Sequence, residues 1–272
     1  MVKFISDETI RNALKEDISN GDVTTTATVD KNMTASALII AKQSGVMCGQ
    51  FVAERVFKLL DYTINYQIMK KDGEKISKGD VLASIYGSAR AMLMGERTAL
   101  NFMQRMSGIA TAAAKAAEMV EGTKTKICDT RKTAPGLRAF DKYAVLTGGA
   151  FNHRFGLFDG ILIKDNHIKA AGGIKQAVER ARAVLPHTLK IEVETEDLQM
   201  VKEALNCGAD IIMLDNMNIN QIKEAVELIG GRALTEASGN MDGKNIAEIA
   251  AAGVDYISMG ALTHSVKALD IS

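Results

Sequence analysis

The chain has no surplus of either charge: Lys and Arg together number 33, and so do Asp and Glu. A balanced chain projects no long-range field to gather nucleic acid or an anionic membrane, so any anion recognition must be local. Cysteine is scarce as well. Cys48, Cys128 and Cys207 are odd in number and far apart, with no CxxC, which speaks against a disulfide framework or a zinc site and fits a reducing cytosol. No uninterrupted apolar run approaches the roughly 20 residues needed to cross a bilayer. The opening MVKFISDETIRNALKEDISNGD is charged throughout and has no apolar h-region, so neither export nor membrane insertion is expected and the expected location is cytoplasmic. Apolar material is plentiful: 47% of 272 residues, enough for one large or two moderate domains.

Two grammars follow one another along the chain. Ser6, with Asp7 and Glu8 behind it, marks the start of a helix to about Glu16, where negative charge suits the positive end of the dipole. A strand-rich region follows, with a strand at 35–42, an amphipathic helix at 49–60, and extended runs from Tyr62 to Ile85 broken by turns at Asp72-Gly73 and Lys78-Gly79-Asp80. ISKGDVLASI looks like a biotinyl or lipoyl turn but shows no identifiable modifiable lysine, so it is read as structural. Residues 86–121 are expected to be largely helical, with a break at Ser107-Gly108. From Lys126 the pattern becomes strand then helix, repeatedly. KICDT, GILIKD, LKIEVET, DIIMLD, RALTEAS and DYISMG are the strands, and amphipathic segments separate the later ones, including GKNIAEIAAAG. Such alternation implies a parallel sheet flanked by helices, and polar residues at every strand end favour a barrel mouth over a flat doubly wound sheet.

That mouth is expected to hold three sectors. Between Lys126 and Ile168 the chain carries Arg131, Lys132, Arg138, Lys142, His153, Arg154 and Lys164, a local density of cations at strand ends and in glycine-punctuated loops. Guanidinium groups bind carboxylates in bidentate fashion and lysines add point charge, so this wall suits a ligand with more than one carboxylate. Glu194 and Asp215 end neighbouring strands, where they can hold Mg²⁺ through water, accept hydrogen bonds from sugar hydroxyls, or join an internal ion-pair network. Ser238-Gly239-Asn240 and Met259-Gly260-Ala261-Leu262-Thr263-His264 end the last strands, where glycine lets backbone N–H groups approach a phosphate. Arg97 and Arg105 lie on a mostly apolar helix, where a buried arginine demands an anionic partner.

The motifs GERTALNFMQRMSGIAT, DTRKTAPGLRAFDKYAV, GGAFNHRFGL, ILIKDNH, IEVE, IMLDN, EASGN and SMGALTHS closely resemble the quinolinate phosphoribosyltransferase family, also called nicotinate-nucleotide pyrophosphorylase (carboxylating). The early LKEDISNGDVTT and the ending HSVKALDIS match too. Ala134 stands where threonine is common, and Ala150-Phe151 where a third glycine is frequent, but neither replaces a residue assigned to chemistry.

The resemblance implies an α/β chain: an N-terminal α/β sandwich-like domain at 1–108, an open, incomplete α/β barrel of the type II phosphoribosyltransferase kind at 109–265, and a tail at 266–272 returning to the first domain. It implies conversion of quinolinate and phosphoribosyl pyrophosphate to nicotinate mononucleotide, pyrophosphate and CO₂ with Mg²⁺, by homodimers or larger homo-oligomers. In those terms Arg131, His153, Arg154 and Lys164 bind quinolinate, joined by Arg97 of a partner subunit. Lys132 lies between the substrates. Glu194 and Asp215 serve ribose and metal, and Ser238, Gly239, Gly260 and His264 cradle the 5′-phosphate. The rival readings are a related phosphoribosyltransferase-like protein of molybdate transport systems, and a non-catalytic anion-binding module on the same fold.

Overall fold

A computed structural model of the chain describes residues 5–239, 241 and 245–272. Its contacts divide the chain into two units that interleave along the sequence: unit 1 takes in Met1–Ala114, Thr133–Gly149 and Ser265–Ser272, and unit 2 takes in Lys115–Lys132 and Ala150–His264. Against the expected division at 108/109 with a returning tail, the contact units differ at 109–114 and at 133–149. Residues 133–149, assigned to the barrel on sequence, belong to unit 1, and the 265–272 tail lies there too.

Unit 1 begins with α1 (Asp7–Ile18), whose first turn carries Asp7 and Glu8; Ser6 occupies the N-cap in extended backbone, but its side chain makes no capping bond. Helix α2 (Val23–Thr28) was not anticipated, because VTTTAT reads as β-prone; the Asp22 carboxylate, accepting from the Thr25 backbone N–H, fixes its start. Strands β1 (Thr34–Ile40), β3 (Asn65–Ile68) and β5 (Val81–Ser88) form an antiparallel sheet in the order β1-β5-β3, and β2 (Gly45–Val46) pairs with β4 (Lys75–Ile76). Helix α3 (Gln50–Leu60) buries Val52, Val56 and Phe57. At the end of β1, the Ile40 N–H donates to the Ser272 carbonyl at 2.7 Å and the Ser272 N–H returns the bond at 3.0 Å.

Helix α4 (Ala89–Glu118) runs unbroken through the expected break at Ser107-Gly108. Both residues are there for packing. The Ser107 hydroxyl accepts from the Cys48 N–H and donates to the Cys48 carbonyl, each at 3.0 Å. A Cβ on Gly108 would stand 2.3 Å from the Lys267 carbonyl oxygen. Helix α5 (Arg138–Thr147) fills what the glycine-punctuated sequence suggested was loop. Arg105 forks onto the buried Asp141 carboxylate at 2.9 and 2.8 Å, and Phe102 stacks on Phe140. Arg105 is thus structural.

Unit 2 carries the second grammar. Its strands are β6 (Lys126–Cys128), β7 (Ile161–Ile163), β8 (Ile191–Thr195), β9 (Ile211–Asp215), β10 (Leu234–Ser238) and β11 (Tyr256–Ser258). They form one sheet in the order β6-β11-β10-β9-β8-β7, with every pairing parallel. All six strands expected from the sequence are present. Among the described residues β6 and β7 do not pair, so the barrel is open. Helices α6 (Asp165–Ala171), α7 (Ile174–Val184), α8 (Leu198–Asn206), α9 (Ile219–Ile229), α10 (Ile246–Ala251) and α11 (Ala261–His264) occupy the connections. The start of the GKNIAEIAAAG segment lies outside the described residues, as does Asn240. No described helix is long and apolar enough to cross a membrane.

Gly108→Ala provides a direct test of the packing account. Alanine favours a free helix by about 1 kcal/mol over glycine, whereas forcing a methyl into a filled site costs about 1–3 kcal/mol. The expected outcome is a lower urea midpoint for the variant; a higher one would mean the 265–272 segment yields freely.

Candidate active site

Parallel strands present their C-terminal ends to one side, so the polar residues that terminate β6 to β11 converge. They line a cavity of about 590 Å³ in unit 2. Arg131, Lys132, His153, Arg154, Lys164, Glu194, Asp215, Ser238, Gly239, Gly260 and His264 all line it, so the three expected sectors share one space. Arg97 does not line it; it sits exposed on α4 in unit 1. Arg138 and Lys142 are also absent from the lining: α5 carries both, Arg138 donates to the Thr133 hydroxyl, and Lys142 is fully buried in unit 1.

The cationic wall is built from β6 outward. Asp129, fully buried at the end of β6, accepts from the His153 N–H at 2.8 Å and from the Asn152 side-chain amide at 2.7 Å. Phe151 bridges to Cys128 on the same edge, so the NHR turn is fastened to the sheet at three successive residues. Arg154 then extends along the wall, with its Nη1 donating to the Gly160 carbonyl at 2.8 Å. Burial, followed by the charge of Arg131, pulls its guanidinium below its ordinary pKa, and Glu192 and Asp159 oppose that. The Nε of Arg131 is buried with no hydrogen-bond partner. Two neighbouring guanidiniums, one with an orphaned buried donor, form a site that an anion with two acceptor groups would complete.

The carboxylate sector is less symmetrical than expected. Glu194 forms an ion pair with Lys164 across the neighbouring ends of β8 and β7. Asp215 accepts from the side-chain amide of Asn216, which holds a left-handed backbone at φ 55°. Both carboxylates face the cavity and offer the hard oxygen ligands that suit Mg²⁺, which keeps most of its waters and takes one or two protein carboxylates. The glycines of the third sector are needed for close approach. A Cβ on Gly239 would lie 2.3 Å from the Asn216 side-chain oxygen, and one on Gly260 would lie 3.0 Å from both Lys132 Cδ and His264 Cδ2. The Thr263 hydroxyl donates to the Lys132 carbonyl at 2.8 Å, tying the two loops together.

Two further residues belong to the site although the sequence reading gave them no role beyond being polar strand ends. Glu192 and Glu236 are buried on β8 and β10, and one oxygen of each lies near His153 Nε2: Glu192 Oε2 at 3.1 Å and Glu236 Oε1 at 3.6 Å. Glu192 Oε1 and Glu236 Oε1 are buried without hydrogen-bond partners. Burial first, and then the Glu192 charge, push the Glu236 carboxyl up to about 7. The signal available in sequence was a glutamate two residues before each cavity-facing residue of β8 and β10, because alternate residues of a strand share a face.

Comparison with known proteins supplies the family. A model of the quinolinate phosphoribosyl transferase C-terminal domain matches residues 109–272, and one of the N-terminal domain matches residues 22–107. The probable nicotinate-nucleotide pyrophosphorylase (carboxylating) of Bacillus subtilis strain 168 is 46% identical over 257 residues, covering 94% of this chain and 89% of the relative. The chloroplastic nicotinate-nucleotide pyrophosphorylase (carboxylating) of Oryza sativa subsp. japonica is 47% identical, covering 96% of this chain and 75% of the relative. Among solved structures, NadC from Streptococcus pyogenes superposes with a TM-score of 0.92 at 45% identity, covering 98% of this chain and 94% of that one.

The buried Glu236 has a consequence for stability. Below pH 4.5 the carboxyl is protonated in both folded and unfolded chains; between 4.5 and about 7 the unfolded chain releases the proton that the folded chain keeps. Stability from this group is therefore full at low pH and is lost as pH rises through about 7. Glu236→Gln lacks that loss. The stability of the variant relative to wild type is expected to climb across this window and level off above it, as read from denaturant midpoints against pH; a flat difference would show that Glu236 titrates normally.

Proposed function

The chain belongs to the quinolinate phosphoribosyltransferase family, and from that premise we propose that its cavity joins quinolinate to phosphoribosyl pyrophosphate, giving nicotinate mononucleotide, pyrophosphate and CO₂ in NAD biosynthesis. The observation that carries the reading to residues is the pairing of Arg131 and Arg154 in one cavity with the two glycine loops and the Glu194–Asp215 pair. A non-catalytic dicarboxylate binder would have no use for the last two sectors.

In this reading Arg131, Arg154 and Lys164 hold the two carboxylates of the pyridine ring. Ser238, Gly239, Gly260 and His264 receive the 5′-phosphate, and Lys132, beside Gly260, stands where both substrates meet. Breaking the bond from C1′ to pyrophosphate leaves positive character on the ribose and negative charge on the leaving group. Lys132 answers the second, and the carboxylates of Glu194 and Asp215 answer the first. The ring nitrogen, held by the wall, attacks C1′ as pyrophosphate departs. The alkylated ring is then cationic and accepts the electron pair left when the 2-carboxylate departs as CO₂, and a proton completes that carbon. Glu194 and Asp215 are the residues that would hold Mg²⁺, which when bound supplies charge neutralisation to the pyrophosphate. No protein nucleophile is needed.

We assign the chain to the cytoplasm, supported by its three free cysteines, and to a homodimer in which each subunit lends Arg97 to the other. The support for the dimer is the exposed position of Arg97 in its own chain, together with the family motif that contains it.

Purified protein with both substrates and Mg²⁺ should release CO₂ and nicotinate mononucleotide. In Arg154→Ala, quinolinate binding should weaken by roughly 2 to 5 kcal/mol, as for truncating one partner of a buried charge pair, while phosphoribosyl pyrophosphate binding holds. Calorimetry reads both, and unchanged quinolinate affinity in a folded variant would remove Arg154 from the site. The shared site has its own test. Arg97→Ala and Lys132→Ala homodimers should each be nearly inactive, and subunit exchange between equal amounts should restore about a quarter of wild-type sites, from about half heterodimers. No recovery despite exchange seen by mass spectrometry would return Arg97 to its own chain's site or remove it from any site.

A further inference from the structure

His153 lines the cavity, yet both of its ring nitrogens are engaged within the chain. Nδ1 accepts the backbone N–H of Arg154 at 2.8 Å, and a nitrogen that accepts carries no proton. Nε2 lies 3.1 Å from Glu192 Oε2, an acceptor when ionised, so this nitrogen donates and holds the ring's single proton. These two contacts fit a neutral ring in the Nε2–H form. A carboxylate at 3.1 Å would ordinarily favour the imidazolium, but protonating Nδ1 would set two donors against each other across 2.8 Å. It would also add a third positive charge beside Arg131 and Arg154. With the side chain only 10% exposed, water cannot relieve either conflict.

The same bonds form a relay. Glu192 does not line the cavity; it stands behind His153 on β8. His153 takes the peptide N–H of Arg154, while Asp129 holds the backbone N–H of His153 from the other side. The Gly160 carbonyl then fixes the Arg154 guanidinium. Glu236, whose Oε1 lies 3.6 Å from the same Nε2, adds a second carboxyl to the enclosure, and burial keeps it readily protonated near neutrality.

We propose that Glu192 is a positioning residue: from behind the cavity it locks His153 in the neutral Nε2–H tautomer, and His153 in turn sets the backbone of Arg154 for the carboxylate that Arg154 binds. His153 is accordingly not itself a carboxylate ligand, which revises the role first given to it. The effect on substrate rests on the quinolinate reading above; the tautomer does not.

Nitrogen NMR of the full-length protein labelled at histidine, with the His153 signals assigned by their loss in His153→Asn, reads the ring directly. Without substrate at neutral pH, His153 should show a proton on Nε2 and none on Nδ1, and adding quinolinate should leave this unchanged. An imidazolium, or a proton on Nδ1, overturns the proposal. Glu192→Gln keeps an acceptor oxygen and should keep the tautomer. Glu192→Leu removes the acceptor and should lose the fixed tautomer, raising KM for quinolinate roughly tenfold, the scale of one charge-assisted hydrogen bond, with KM for phosphoribosyl pyrophosphate unchanged. A folded Leu variant with wild-type tautomer and KM would also overturn it. Absence of quinolinate turnover in the wild type would sink the proposed function while leaving the tautomer result intact.

Discussion

Positive charge withdrawn from water has to be answered within a few ångströms, and the layout of unit 2 follows from that requirement. Arg131 and Arg154 share a wall of the cavity, and the charge of Arg131 makes that of Arg154 harder to keep. The answer comes from carboxylates placed at three depths. Asp129 sits fully buried beneath the NHR turn, Glu192 sits behind His153, and Glu236 and Glu194 line the cavity, Glu236 near His153 and Glu194 on Lys164. A parallel sheet can make this arrangement because alternate residues of each strand face one way and all strands end on one side. Ile191, Val193 and Leu214, at the alternate strand positions, are buried on the opposite face of the sheet, while Leu162 and Met213 supply apolar lining to the cavity. Unpaired, these charges would be prohibitive there.

The same logic explains which parts of the molecule could be read in advance. The six strands of unit 2 were legible because each is a short apolar run ending in polar residues, and the helices between them repeat at helical spacing. The wall, the glycine loops and the Glu194–Asp215 pair followed from their positions at strand ends. Glu192 and Glu236 were legible only as polar strand ends, since nothing in the sequence tells that both carboxylates close on His153. Helix α5 escaped notice because its polar residues are satisfied by unit 1: Asp141 is paired with Arg105, and Lys142 is buried. Its cations then inflated the apparent anion site. Gly108 misled for the opposite reason. A glycine demanded by a neighbouring carbonyl is indistinguishable in sequence from one that ends a helix.

The order in which these parts can form is constrained by the interleaving of the units. Strand β1 is completed by backbone bonds from Ile40 and Lys42 to Ser272 and Asp270, and Leu269 bonds to the Gln104 carbonyl on α4. Of all the described residues of unit 1, these partners are the last to be translated. The six-strand sheet lies wholly before them in the chain, and its neighbours are mostly consecutive, so its loops are short to close. The first unit of the sequence is thereby the later one to finish. Until residues 265–272 arrive, Ile40 and Lys42 at the end of β1 keep open backbone groups that another chain could pair with, a form of association to which the chain is exposed during synthesis.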